Sequence, residues 1–168
     1  MKTQHRHLLF AMTLFIGLFT INWFNSDDKN MSEFSFTDID GQMYNSNDYQ
    51  GKPLLVIFWA TDCPGCVQEM PELIKLYEAY SPQDFSMLGI AMAHDSLDHI
   101  KAMRADKSLP YTVTWDHSNE LALAFGNVRV TPTHFLIAPN GEIMMRKIGS
   151  LNMELIHSKL KKMGLNKT

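Results

Sequence analysis

The chain has 168 residues, a formal net charge of −3, 45% hydrophobic and 20% charged residues. That is enough for one ordinary domain with its own core and a short appendage. It excludes a disordered chain, a collagen-like fibre and a polytopic membrane protein. No basic surplus is available to neutralise a phosphate backbone, so nucleic acid is not expected as a partner.

The first element is an address. Lys2 and Arg6 precede an apolar run from Leu8 to Ile21, extended by Trp23 and Phe24 before Asp27 and Asp28. As a helix, residues 8–24 would span about 25 Å, the short end of a membrane crossing. Bulky Trp23 and Phe24 stand where a signal-peptide cleavage site wants small residues. We therefore read residues 1–26 as a retained membrane anchor, with a cleaved signal as the alternative. The basic residues lie before the run and the acids after it. The remainder would then face the periplasm or cell exterior from the inner or cytoplasmic membrane. Residues 27–33 read as a linker and 34–168 as one domain.

Phe34-Ser35-Phe36 and Gln42-Met43-Tyr44 flank Asp40-Gly41, a hairpin signal. Leu54 to Trp59 is a continuous apolar run, as in a strand covered on both faces. Val67, Met70, Leu73, Ile74 and Leu76 recur at helical spacing as far as Ser81-Pro82, with a kink expected at Pro71. Phe85 to Met92 reads as a second buried strand. Asp95 is expected to cap a helix running to Asp106. Tyr111 to Trp115 follows as a strand, and Ser118 to Phe125 as a short helix stopped by Gly126. Strands over Thr133–Ala138 and Glu142–Ile148 enclose Pro139-Asn140-Gly141. A helix from about Asn152 to Met163 ends at Gly164. The order predicts an α/β domain: a mixed central sheet, helices on both faces and an N-terminal β-hairpin extension.

The two cysteines, Cys63 and Cys66, sit where the apolar strand gives way to a helix. Free N–H groups and partial positive charge at a helix start favour thiolate over thiol. Pro64 suits the first helical position, where an N–H has no partner to lose. Cys66 falls one turn later on the same face, so a reversible disulfide is easy to form. The first cysteine would attack and the second resolve. A zinc site would need two more ligands at matching spacing. Among the seven histidines only His94 and His99 come near such spacing. The twelve methionines mostly fall at core positions, as fillers rather than copper ligands. We expect no metal and no cofactor beyond the cysteine pair.

Phe58-Trp59-Ala60-Thr61-Asp62-Cys63-Pro64-Gly65-Cys66-Val67-Gln68-Glu69-Met70-Pro71-Glu72-Leu73 resembles the FWATWCxPCxxEMPEL signature of TlpA/ResA-like proteins. Two further stretches resemble the same family, Asp38 to Leu55 and Val130-Thr131-Pro132-Thr133 with Phe135-Leu136-Ile137. The resemblance implies a thioredoxin-like fold and membrane-anchored, extracytoplasmic thiol–disulfide exchange with protein dithiol or disulfide substrates. An upstream membrane electron donor and a reductive task such as cytochrome c maturation come with it. It also implies that Pro132 is cis and faces the cysteines, that Thr131 offers its backbone to an extended substrate, and that Glu69 tunes the cysteines from beneath. Independently, Glu69 is three residues after Cys66, on the same helix side. Ile57 stands where thioredoxins proper carry a buried aspartate. We assign Thr131, Pro64, Gly65 and Trp59 to substrate binding, and Cys63, Cys66, Glu69 and Pro132 to catalysis.

Asp62 departs from the pattern, which has Trp there. A carboxylate beside Cys63 opposes thiolate formation, so Asp62 is expected to modulate its ionisation. Two other activities remain open on this fold. One is copper delivery, which would want one more residue between the cysteines. The other is thiol peroxidase chemistry, which would want Thr three residues before the reactive cysteine, whereas Thr61 is two before.

Overall fold

The computed structural model describes residues 30–167, so the expected anchor over 1–26 and the first three residues of the expected linker, 27–29, lie outside the described residues. Six consecutive apolar residues make β3 (Leu54–Trp59), and all six are buried because the strand is covered on both faces. It is the middle strand of a five-stranded sheet in the order β5-β4-β3-β6-β7. β4 (Ser86–Ala91) runs parallel to β3, and β5 (Thr112–Trp115) parallel to β4. β6 (Thr133–Ile137) lies antiparallel on the other side of β3, followed by antiparallel β7 (Ile143–Ile148). The mixed sheet expected from the element order is present.

Alternation along β3 divides the core. Leu55, Ile57 and Trp59 face a cluster built with α1 (Pro64–Tyr80), α2 (Leu97–Lys107) and α4 (Met153–Lys162). Leu54, Val56 and Phe58 face an aromatic cluster with Phe34, Tyr49, Phe125 and Phe135, closed by the short α3 (Glu120–Ala124). The N-terminal hairpin is β1 (Ser35–Thr37) and β2 (Met43–Asn45). It is tied to β5 where Ile39 N–H donates to Val113 C=O at 3.0 Å and Thr114 Oγ1 donates to Thr37 C=O at 2.8 Å. Met31, inside the expected linker, already donates its N–H to Gly141 C=O at 2.9 Å.

Local chemistry sets the boundaries. Asn152 caps α4 through Leu155 N–H at 2.9 Å, and Gly126 takes φ +76° just past α3, where a Cβ would be strained. α1 continues through Pro71, whose ring sits on the exposed side. Asp95 is not the cap of α2. Ser96 is, its Oγ accepting from His99 N–H at 3.4 Å, because the Asp95 carboxylate is engaged elsewhere. In mid-sheet, a Cβ on Gly89 would meet Trp59 Nε1 and Tyr111 Cε2 at 3.2 Å each, so glycine makes room for the indole.

Candidate active site at the cysteine turn

β3 delivers the chain to a turn at Ala60–Cys63, closed by Cys63 N–H donating to Ala60 C=O at 3.2 Å. Two bonds from Asp95 hold the turn. Its Oδ2 accepts from Thr61 N–H at 2.7 Å and its Oδ1 from Thr61 Oγ1 at 2.9 Å. These residues are 34 apart in sequence, and no local pattern marks the pair.

Cys63 is the N-cap of α1, with Pro64 at the first helical position. Its Sγ accepts from Cys66 N–H at 3.2 Å, so the sulfur sits where helix-start donors stabilise negative charge. Cys63 is part-exposed and Cys66 is 1% exposed. The two form a disulfide with Cα atoms 5.3 Å apart. An incoming thiolate therefore meets Cys63 first.

The Thr131–Pro132 bond is cis. A Cβ built on Gly65 would lie 3.7 Å from Pro132 Cδ, so Pro132 packs directly on the cysteine turn. Pro64 is exposed, and Gly65 and Thr131 are half-buried on this surface. Trp59 is placed differently from the rest of the assigned substrate-binding set. It is 3% exposed and belongs to the core, because the alternation of β3 turns it onto the α1 face under Gly89.

Beside the turn, Asp62 is exposed and faces the His94 ring, with Oδ1 and Nε2 3.3 Å apart. An exposed pair of this kind contributes little stability, yet an imidazole when charged offsets part of the carboxylate's effect on Cys63. In the sequence His94 is marked only by its spacing from His99.

Behind the turn, Glu69 is 8% exposed and meets His134, which is 0% exposed. The Oε1 and Nε2 atoms are 2.6 Å apart. β6 pairs His134 with Ile57, the position remarked on above, so both point to the α1 face. Glu69 is marked by its helical spacing from Cys66, whereas His134, alternating on a strand after Thr131-Pro132-Thr133, is by sequence alone a core or surface histidine that could lie near the site. The period-2 pattern of β6 was the available signal, since it puts His134 on the same face as Leu136.

Among the described residues, no group of three or more His, Cys, Asp or Glu side chains could hold a metal ion. No described helix is long and apolar enough to cross a membrane. The arrangement is an accessible sulfur at a helix start, a buried partner sulfur and an adjacent buried acid–imidazole pair, which suits two-electron exchange between thiols and disulfides.

Known proteins agree with this chemistry. The model of the AhpC/TSA family matches residues 28–146. The chain is 30% identical over 153 residues to the thiol–disulfide oxidoreductase ResA of Bacillus thuringiensis subsp. konkukian, covering 90% of this chain and 87% of the relative. It is 28% identical over 148 residues to ResA of Geobacillus kaustophilus, covering 88% and 84%. A solution structure described as a thioredoxin from Neisseria meningitidis superposes with a TM-score of 0.75 and 33% identity, covering 82% of this chain and 91% of that one.

Proposed function

We propose that this chain, which belongs to the AhpC/TSA family and is a thiol–disulfide oxidoreductase of thioredoxin-like fold, works as an extracytoplasmic reductant of protein disulfides. In this reading residues 1–26 hold it to the membrane, an upstream membrane donor reduces Cys63–Cys66, and the dithiol serves a task such as cytochrome c maturation. Cys63 attacks and Cys66 resolves. Pro132 and the Thr131 backbone, with Pro64 and Gly65, receive an extended substrate segment.

The observation that carries the reductive direction is the Asp62 carboxylate, 75% exposed and immediately before Cys63. The helix start contributes up to about 1–2 kcal/mol toward the thiolate, and the exposed Asp62 charge opposes it with up to about 1 kcal/mol. With much of the helix-start effect offset, the reduced state is not specially favoured, which sets the pair on the reducing side. Thiol peroxidase chemistry is disfavoured, since the Thr61 hydroxyl is donated to Asp95.

Equilibration of the Cys63–Cys66 pair against glutathione tests the direction. A potential on the reducing side of the glutathione couple is expected, and one near those of strong oxidants would reverse it. Cys66→Ser should trap mixed disulfides with partners while Cys63→Ser does not, and equal trapping would sink the role assignment. Alkaline extraction should leave the full chain with membranes, whereas release of a form lacking the first residues would show a cleaved signal. Anaerobic copper titration of the reduced protein separates the copper-delivery alternative.

A further inference from the structure

Glu69 and His134 are a buried titratable pair in which each side chain keeps one polar atom without a hydrogen-bond partner among the described residues. The 2.6 Å contact between Oε1 and Nε2 holds one shared proton, since one atom must donate and the other accept. The remaining two polar atoms, Glu69 Oε2 and His134 Nδ1, are buried and have no hydrogen-bond partner among the described residues. Buried polar atoms are almost always paired, so two orphans on one contact are unusual. With Nε2–H donating to the carboxylate, both orphans are acceptors. The pair can therefore take up one more proton.

The place of the pair gives that capacity a use. Cys66 precedes Glu69 by one helical turn and is 1% exposed, so its thiol has little direct access to water. Another titratable group that senses Glu69 is Tyr111, at the entry to β5. Its phenol is pushed well above the ordinary range, by burial first and by the Glu69 charge second. A phenol so raised stays protonated and cannot accept the thiol's proton. Asp62 and His94 are exposed, on the outer side of the turn.

We propose that His134 is a positioning residue that makes Glu69 into a two-residue proton acceptor for Cys66 in the resolving step. In the mixed disulfide a substrate sulfur is bonded to Cys63 Sγ. The Cys66 proton passes to the Glu69–His134 pair, and the Cys66 thiolate attacks Cys63 Sγ. The Cys63–Cys66 bond forms as the Cys63–substrate bond breaks. The electron pair leaves on the substrate sulfur, which takes a proton from solvent. The two cysteines are oxidised and the substrate disulfide is reduced. The reverse reaction returns the proton to Cys66, so the proposal rests on the exchange chemistry and not on the net direction of electron flow.

The test is stopped-flow release of thionitrobenzoate from its mixed disulfide with Cys63, in the full chain, from about pH 5 to 9. This small-molecule readout works whatever the physiological partner, so its failure is distinct from failure of the reductant reading. Glu69→Gln is expected to slow release about 10²-fold at neutral pH. His134→Gln keeps a donor for Oε1 but loses the second proton site, and is expected to slow release about tenfold and to displace the pH profile. Because the residues act as a unit, the double variant should be no slower than Glu69→Gln alone. An unchanged rate and profile for His134→Gln, or multiplying effects in the double variant, would overturn the proposal. If the variants fold poorly, the wild type decides. Coupling is reciprocal, so the 15N shifts of His134 should titrate differently in oxidised and reduced protein, and superimposable curves would overturn it.

Discussion

The two faces of the central sheet handle buried charge in opposite ways. On the aromatic face, Asp116 is 3% exposed and its carboxylate accepts from Leu121 N–H at 3.0 Å and Ala122 N–H at 2.7 Å. Both oxygens are engaged, and the carboxylate does the capping of α3 that Asn119, with φ +64° and no side-chain bond, does not. On the α1 face, Glu69 and His134 meet each other and leave one atom each without a partner among the described residues. A fully satisfied buried carboxylate is a structural part, whereas a half-satisfied pair keeps free capacity for protons. The disulfide lies on the second face.

If the faces are separable in this way, the largest effect on stability comes from the aromatic one. Phe125 packs on Phe34, Phe58 and Phe135 with ring centroids 5.5, 5.5 and 5.1 Å away. Phe125→Ala should cost about 3–5 kcal/mol in denaturant melts, with thionitrobenzoate release by the folded fraction unchanged. A parallel loss of exchange in folded protein would break the separation. Asp116→Ala leaves two N–H groups without their acceptor and should cost about 2–3 kcal/mol, again without altering exchange. Asp116→Asn keeps one acceptor and should cost less.

Effects at the reactive face are smaller in stability and larger in chemistry. Asp62→Asn should raise the Cys63 thiolate fraction at neutral pH by up to about fivefold, because an exposed charge contributes no more than about 1 kcal/mol. Thiolate absorbance against pH reads this, and no change would remove the argument for a reducing pair. The smallest effect lies at the far end of the same face, where His157 Nδ1 is 2.9 Å from Tyr80 Oη. Burial first, and Lys167 second, hold this imidazole below its ordinary range. Folding therefore favours the neutral ring. Its contribution is complete above the unfolded value of about 6.5 and is lost as pH falls below it. His157→Gln should flatten the acid limb of the stability profile by less than about 0.5 kcal/mol, without touching exchange.

Residues close in sequence announced themselves. Cys63 as cap, Pro64 at the first helical position, Cys66 one turn on, the hairpin at Asp40-Gly41 and the six-residue core strand all follow from capping, turn and periodicity rules that act within a few residues. The sequence by itself therefore determined the order of elements, the disulfide and the family. Tertiary structure decided what meets across the sheet. His134 reaches Glu69 over 65 residues, Asp95 reaches Thr61 over 34 and His94 reaches Asp62 over 32. A strand buried on both faces has no polar alternation to reveal which side each residue takes. That is why Trp59 read as a site residue and lies in the core. Only the register of β6 on β3 puts an imidazole opposite Ile57 and within reach of the helix that carries the cysteines. The alternation of β6 gives the face His134 takes, but the partner it meets there is set by register and leaves no local trace.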